Sequence, residues 1–279
     1  MKTVGVLIIG LILVFAFTGL QDVSADQADE AYKTGLKYYY GDSLEGIKPN
    51  PIEGMKWLRK AAEQGNERAI DRLYQIYYYG DDITDKNYEE AFKWSRLGAY
   101  QGYADAQYYV GEMYENGKGV KQNYAEALKW YEKAAEQGDD NAQFNLYLMY
   151  RNGDGVTPDS AEAFKWIRKL ADQGNAFSAF YTVGEAYYLG QGVKRDYIEA
   201  MKWFRKAADQ GNAEAEYNIG VMYEKGEGVV KDSAEAIKWF QKAAEEGHQK
   251  AEDALKHSNR YLSPLKIRHQ REVNMTWQQ

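Results

Sequence analysis

The chain contains no cysteine. Disulfides, thiolate metal sites and a cysteine nucleophile are therefore excluded. Histidine is almost as scarce: the three residues His248, His257 and His269 all lie near the C-terminus. A multi-histidine metal site in the body of the chain is excluded, and no Ser/His/Asp constellation can be argued there. Positive charge is not in excess, since 35 Lys and Arg stand against 42 Asp and Glu for a net charge of −7. A diffuse nucleic-acid binder would be basic, so nucleic acid is not an expected partner. Long apolar runs are also few. The clear one follows Lys2 and spans 17 residues, Val4 to Leu20, short of the roughly 20 residues that a spanning helix needs.

That run is followed by Val23, Ser24 and Ala25. The small residues suit a signal-peptidase cut after Ala25, so residues 1–25 read as a signal peptide and Asp26 as the mature N-terminus. The other reading is an uncleaved N-terminal anchor. A lipoprotein would need a cysteine just after the run, and there is none. An exported chain without cysteine does not rely on oxidation for stability. With the signal removed, no stable membrane insertion is expected.

What is abundant is tyrosine, 25 residues, together with a period. Tryptophan recurs at Trp57, Trp94, Trp130, Trp166, Trp203 and Trp239, in steps of 36 or 37 residues. A fixed period of this size is the signature of a solenoid. Four positions before each Trp stands a Glu, and three before that an Asn or Asp, as in Asn123-x-x-Glu126. This resembles a capping box with Asx as N-cap and Glu at N3. Pro51 fits the first helical position, where its missing N–H does no harm. Eight residues after each Trp stands a Gly, as in Gly102 and Gly138, suited to a helix C′ position.

A second amphipathic helix lies between each Gly and the next Asx. Its clearest copies are Ala106-x-x-x-Val110-Gly111-x-Met113-Tyr114 and Ala215-x-x-x-Ile219-Gly220-x-Met222-Tyr223. Each ends in a turn such as Gly117-Lys118-Gly119-Val120. The turn recurs after helices rather than strands, so it reads as a helix–helix connection and not a phosphate loop.

These residues resemble the Sel-one-like repeat, a subfamily of the tetratricopeptide (TPR) type of helical hairpin. The likeness rests on the apolar-Gly-x-x-Tyr of the first helix, the Gly-x-Gly-Val turn, and a second helix shown in full by Ala127 to Gly138. It covers about residues 28–257 in six copies. It implies an all-α, right-handed α-solenoid of about six antiparallel helix pairs, with a C-terminal capping helix. It also implies an adaptor that binds a protein or peptide in a concave groove, without cofactor, metal or enzymatic activity.

The departures from the pattern carry expectations of their own. Tyr74 and Tyr147 stand where Gly111, Gly184 and Gly220 stand in their repeats, so repeats two and four should be locally splayed. Repeat one has a longer turn, Gly41 to Pro49. Ala251 and Leu255 keep register in a seventh first helix, and His248 before it should be a surface residue.

Two short motifs, Ser263-x-x-Lys266 and Lys33-Thr34-Gly35, match features of penicillin-recognising serine enzymes. They stand in reversed order at opposite ends, with no Ser-Asp-Asn between them. A hydrolase acting on cell-wall or β-lactam substrates is the competing class, and a structural envelope protein a third.

Candidate partner-binding residues come from the tyrosine excess. The six Trp, and the Tyr at 38, 77, 114, 150, 187 and 223, read as repeat core. Groove positions projected from the first helix are Tyr32, Tyr108, Tyr181 and Tyr217, then Tyr39, Tyr78 and Tyr188 one residue past the core Tyr, with Tyr40 and Tyr79 next. Tyr39, Tyr40, Tyr78 and Tyr79 should form one exposed patch, because packing within the repeat does not need them; exposed Tyr makes good interface. Glu112, Glu115 and Arg151 would orient the ligand by charge. The tail 258–279 carries +3, leaving −10 on residues 26–257. The chain thus divides into signal peptide 1–25, solenoid 26–257 and basic tail 258–279. The expectation is an exported, non-enzymatic scaffold, periplasmic or secreted.

Overall fold

The computed structural model describes residues 25–174 and 177–257. The apolar run, most of the signal segment and the basic tail with Ser263 and Lys266 lie outside the described residues. Within them the chain is helical throughout, with no strand beyond a single bridge between Asp42 and Ile47. The first helices of the pairs are α1 (25–40), α3 (Glu67–Tyr79), α5 (Ala104–Asn116), α7 (Asp140–Asn152), α9 (Phe177–Leu189) and α11 (Ala213–Lys225). Their second helices are α2 (Pro51–Glu63), α4 (Tyr88–Gln101), α6 (Tyr124–Glu136), α8 (Ser160–Gln173), α10 (Tyr197–Ala208) and α12 (Ser233–Glu245). A last helix, α13 (249–257), follows. This is the expected all-α solenoid of consecutive packed helix pairs.

The start signals work as half of a capping box. In all six second helices the N–H of the N3 Glu donates to the Asx side chain, at 3.0–3.2 Å. Such a cap contributes about 1 kcal/mol. The reverse arm is replaced. The backbone N–H of the Asx residue donates instead to the carbonyl of the core Tyr that closes the first helix: Asn87 to Tyr77 at 2.7 Å, Asp159 to Tyr150 at 2.8 Å, Asp232 to Tyr223 at 2.9 Å. That bond ties the end of one helix to the start of the next. The Glu side chain is released to pair with a Lys three residues on, as Glu126 does with Lys129 at 2.6 Å. Gly102 closes α4 at φ 97°, where a side chain would be strained. In repeat one the longer turn is pinned by paired backbone bonds between Asp42 and Ile47, 2.8 Å each.

The chain forms two compact units, up to Asn145 and from Leu146. The first has its core in Leu58, Leu73, Tyr74, Val110 and Met113. The second is built on Ile167, Val183, Phe204, Ile219 and Met222, with Phe240 and Ala251 in a cluster of their own. Trp94, Trp130, Trp166 and Trp203 are buried, whereas the first and last, Trp57 and Trp239, are half-buried. A terminal repeat has one neighbour fewer, and its Trp shows it.

The glycine of the first helix has a specific partner. A Cβ on Gly111 would lie 2.6 Å from the Tyr131 ring, one on Gly184 2.7 Å from Phe204, and one on Gly220 2.6 Å from Phe240. The ring comes from the residue after the core Trp. Repeat two exchanges the two sizes: Tyr74 replaces the glycine, and Ser95, after Trp94, replaces the ring. Both are fully buried. Repeat two is therefore not splayed, because the small residue has moved to the opposite helix. Repeat four has Tyr147 facing Ile167 rather than a small residue, and there a cavity opens.

His248 is not a free surface residue. Its side chain is 9% exposed, its ring stacks on Tyr217 at 4.7 Å, and its Nδ1 accepts the Ala251 N–H at 3.2 Å as a cap for α13. Nε2 lies 2.7 Å from the Glu214 carboxylate.

Candidate interaction face

The three Tyr one residue past the core Tyr do not lie open. Tyr39 is fully buried and Tyr78 is 5% exposed, which corrects the expectation that packing leaves them free. Each reaches into the turn of the following repeat, to the residue between its glycines or its equivalent. Tyr39 donates to Asp81 at 2.9 Å; Lys118 donates to the Tyr78 oxygen at 2.7 Å; Tyr188 donates to Glu227 at 2.6 Å. They are clamps between neighbouring repeats. Tyr188 is half-buried in the same role.

Tyr108, Tyr181 and Tyr217 are half-buried, and each ring leans at 34–38° on the aromatic residue after the Trp of its own repeat: Tyr131, Phe204 and Phe240, with centroids 5.6–5.8 Å apart. Glu112 and Glu115 are not loose charges either. Glu112 accepts from Tyr74 at 3.0 Å and Tyr78 at 2.8 Å, and Glu115 from Tyr131 at 2.5 Å. Arg151 is exposed in the second unit, where it donates to the Tyr147 oxygen at 3.0 Å. Tyr181 donates to Glu185 at 3.1 Å.

In the first unit α3 carries a stripe that is exposed at its two ends and half-buried at its middle. Arg68, Arg72, Gln75 and Tyr79 recur at i, i+4, i+7 and i+11, one face of a helix. Tyr79 is 62% exposed. From α1, Tyr32 lies under the Arg68 guanidinium at 5.1 Å and Tyr40, 45% exposed, under that of Arg72 at 5.0 Å. Arg68 also pairs with Asp29. The Nε of Arg72 is buried without a protein partner, and its Nη1 reaches only Gln75, at 3.4 Å. Asp71, beside the stripe, accepts from Tyr109 and Gln75, and burial raises its carboxyl above the usual range. Tyr109 stacks flat on Tyr74 at 3.9 Å. Burial pushes the phenols of Tyr39 and Tyr108 up to about 12 and raises those of Tyr74, Tyr78, Tyr109 and Tyr131 too. All are neutral at physiological pH.

The tyrosine excess drew attention to Tyr32, Tyr40 and Tyr79 but missed Arg68, Arg72 and Gln75. Stepping back from Tyr79 by helical spacing would have found them. Chemically the stripe offers exposed rings and stacked cations, a surface suited to carbonyl or carboxylate groups beside apolar ones. Among the described residues no group of three or more His, Cys, Asp or Glu is placed to hold a metal ion. No described helix is long and apolar enough to cross a membrane.

The comparisons agree with this architecture. The Sel1 repeat family matches residues 31–66, 75–103, 104–139, 140–175, 181–212 and 213–248. A crystal structure of a protective antigen from uropathogenic Escherichia coli strains, displaying an SLR fold, is 33% identical, covering 82% of this chain and 48% of that one, with a TM-score of 0.71. A Sel1 repeat protein from Oxalobacter formigenes is 34% identical over 84% of this chain and 67% of that one, with a TM-score of 0.61. Chitin synthase regulatory factor 3 of Schizosaccharomyces pombe is 40% identical over 89 residues, 32% of this chain and only 9% of that protein. With six matched copies and the hairpin geometry that defines them, this chain belongs to the Sel1 repeat family.

Proposed function

We propose that this protein is an exported, non-enzymatic scaffold that binds a protein or peptide partner on the first-helix face of its N-terminal repeats. The observation that carries this is the α3 stripe. Tyr40 and Tyr79 stand exposed, and the Arg72 guanidinium lies over the Tyr40 ring at 5.0 Å. Large rings held by helices, next to a guanidinium, are the residue types that dominate interface hot spots. The regulatory name of the Schizosaccharomyces pombe relative supports a role in acting on other proteins. Export rests on the apolar run and the small residues before Asp26.

The test expresses the full chain in a bacterial host, reads its mature N-terminus, and uses the purified protein to capture partners from the exported fraction. The comparison is the Arg72→Ala plus Tyr79→Ala variant. A start at Asp26 supports a cleaved export signal, and intact Met1 in the membrane fraction refutes cleavage and favours the uncleaved anchor. A partner held at least about 30-fold more weakly by the variant, roughly 2 kcal/mol, supports the face. Equal capture by a variant with unchanged melting temperature refutes it.

A further inference from the structure

A pocket of about 280 Å³ opens in the second unit where α7, α8 and α9 meet. The first unit contains the same junction, made by α3, α4 and α5, and there it is filled. Tyr78, Tyr88, Tyr109 and Met113 occupy it, with Tyr109 stacked on Tyr74. In register, the second unit has Arg151, Ser160, Thr182 and Ala186 instead, and all four line the pocket. Three aromatic rings and a methionine have thus given way to residues that leave the junction hollow or reach out of it. Tyr147 stands in the register of Tyr74, and Phe164 and Ile167 add apolar wall.

The fold itself shows what chemistry the space takes, because the first unit fills it with rings. The volume is just under the range of about 300–1,000 Å³ typical of small-molecule sites, and so suits one side chain. The lining includes Arg151, which is exposed, and Glu185, which is half-buried. Arg151 spends Nη1 on Tyr147 and Nε on Asn152, which leaves Nη2 for a carboxylate. We propose that this pocket receives an aromatic side chain of a peptide partner, with an acidic residue beside it engaging Arg151. The proposal rests on the partner-binding reading for the nature of the ligand. Its site is separate from the α3 stripe, so each can fail alone.

The test titrates acetyl-Phe-Asp-amide into the full-length protein and follows the methyl resonances of Ile167 and Ala186 by NMR. The expected result is saturable shifts at both methyls, none with acetyl-Ala-Asp-amide, and binding at least about 5-fold weaker with acetyl-Phe-Asn-amide. Phenylacetate binding as tightly as the dipeptide would overturn the assignment to a peptide. Thr182→Tyr restores the ring that Tyr109 supplies in the first unit, and Ala186→Met restores Met113. Thr182→Tyr should abolish the shifts at both methyls and Ala186→Met the shift at Ile167, and each should raise the melting temperature. Binding that persists in both variants, or a lower melting temperature in both, overturns the proposal.

Discussion

Gly111 offers a test of how these repeats assemble. A Cβ there would meet the Tyr131 ring at 2.6 and 2.7 Å, closer than real contacts allow. The ring has nowhere to go: Tyr131 is fully buried and its hydroxyl is tied to Glu115 at 2.5 Å. Two opposing effects act on Gly111→Ala. Alanine is about 1 kcal/mol better than glycine inside a helix. Overpacking a fixed core costs about 1–3 kcal/mol. Strain should win by up to about 2 kcal/mol, so the variant is less stable than the parent. In a Tyr131→Ser background, which copies Ser95 of repeat two, the clash is gone and only the helix term remains. The same Ala should then stabilise by about 1 kcal/mol. The assay is urea unfolding of all four proteins, comparing midpoints at constant slope. The reversal of sign is a coupling of about 1–3 kcal/mol in a double-mutant cycle. If Ala has the same effect in both backgrounds, within about 0.5 kcal/mol, the ring–glycine pairing does not set the helix spacing.

Two further outcomes follow from burial. Trp130→Ala should lower stability by about 3–5 kcal/mol, the range for large-to-small changes in a core, while Trp57→Ala, already half-exposed in a terminal repeat, should cost less; equal urea midpoints would contradict this. Burial raises the Asp71 carboxyl, so the native chain binds more protons than the unfolded one between about pH 3.9 and the raised value, and this group adds stability as pH falls through that window. Asp71→Asn should make the stability profile in that window rise less steeply on acidification, as read from urea midpoints; an unchanged profile would refute the assignment.

The period of tryptophans made the fold legible, and each cap and C′ glycine fell where its residue type required. Local chemistry of this kind is readable because it acts over three or four residues. What the sequence hid was compensation at a distance. Tyr74 reads as a misfit until Ser95, 21 residues on, is seen to yield the space. Tyr39 and Tyr78 read as surplus because their partners, Asp81 and Lys118, belong to the next repeat and differ in charge. Arg68 and Arg72 carried no compositional signal, since only the helix face that they share with Tyr79 sets them apart from other surface cations. Tyr40 and Tyr79 are exposed as the spacing suggests, because they lie at the ends of first helices one residue past the clamp position.

The tyrosine clamps bear on how such a chain can be rearranged. Successive clamps meet turns that alternate in charge: a carboxylate at Asp81, an ammonium at Lys118, a carboxylate again at Glu227. A hairpin lifted from one place and inserted in another would meet a neighbour with the wrong latch. Though built from near-copies, the array does not have interchangeable joints at Tyr39 and Tyr78. Duplication can lengthen it without changing those joints only where the copied joint is carried along with the copied hairpin.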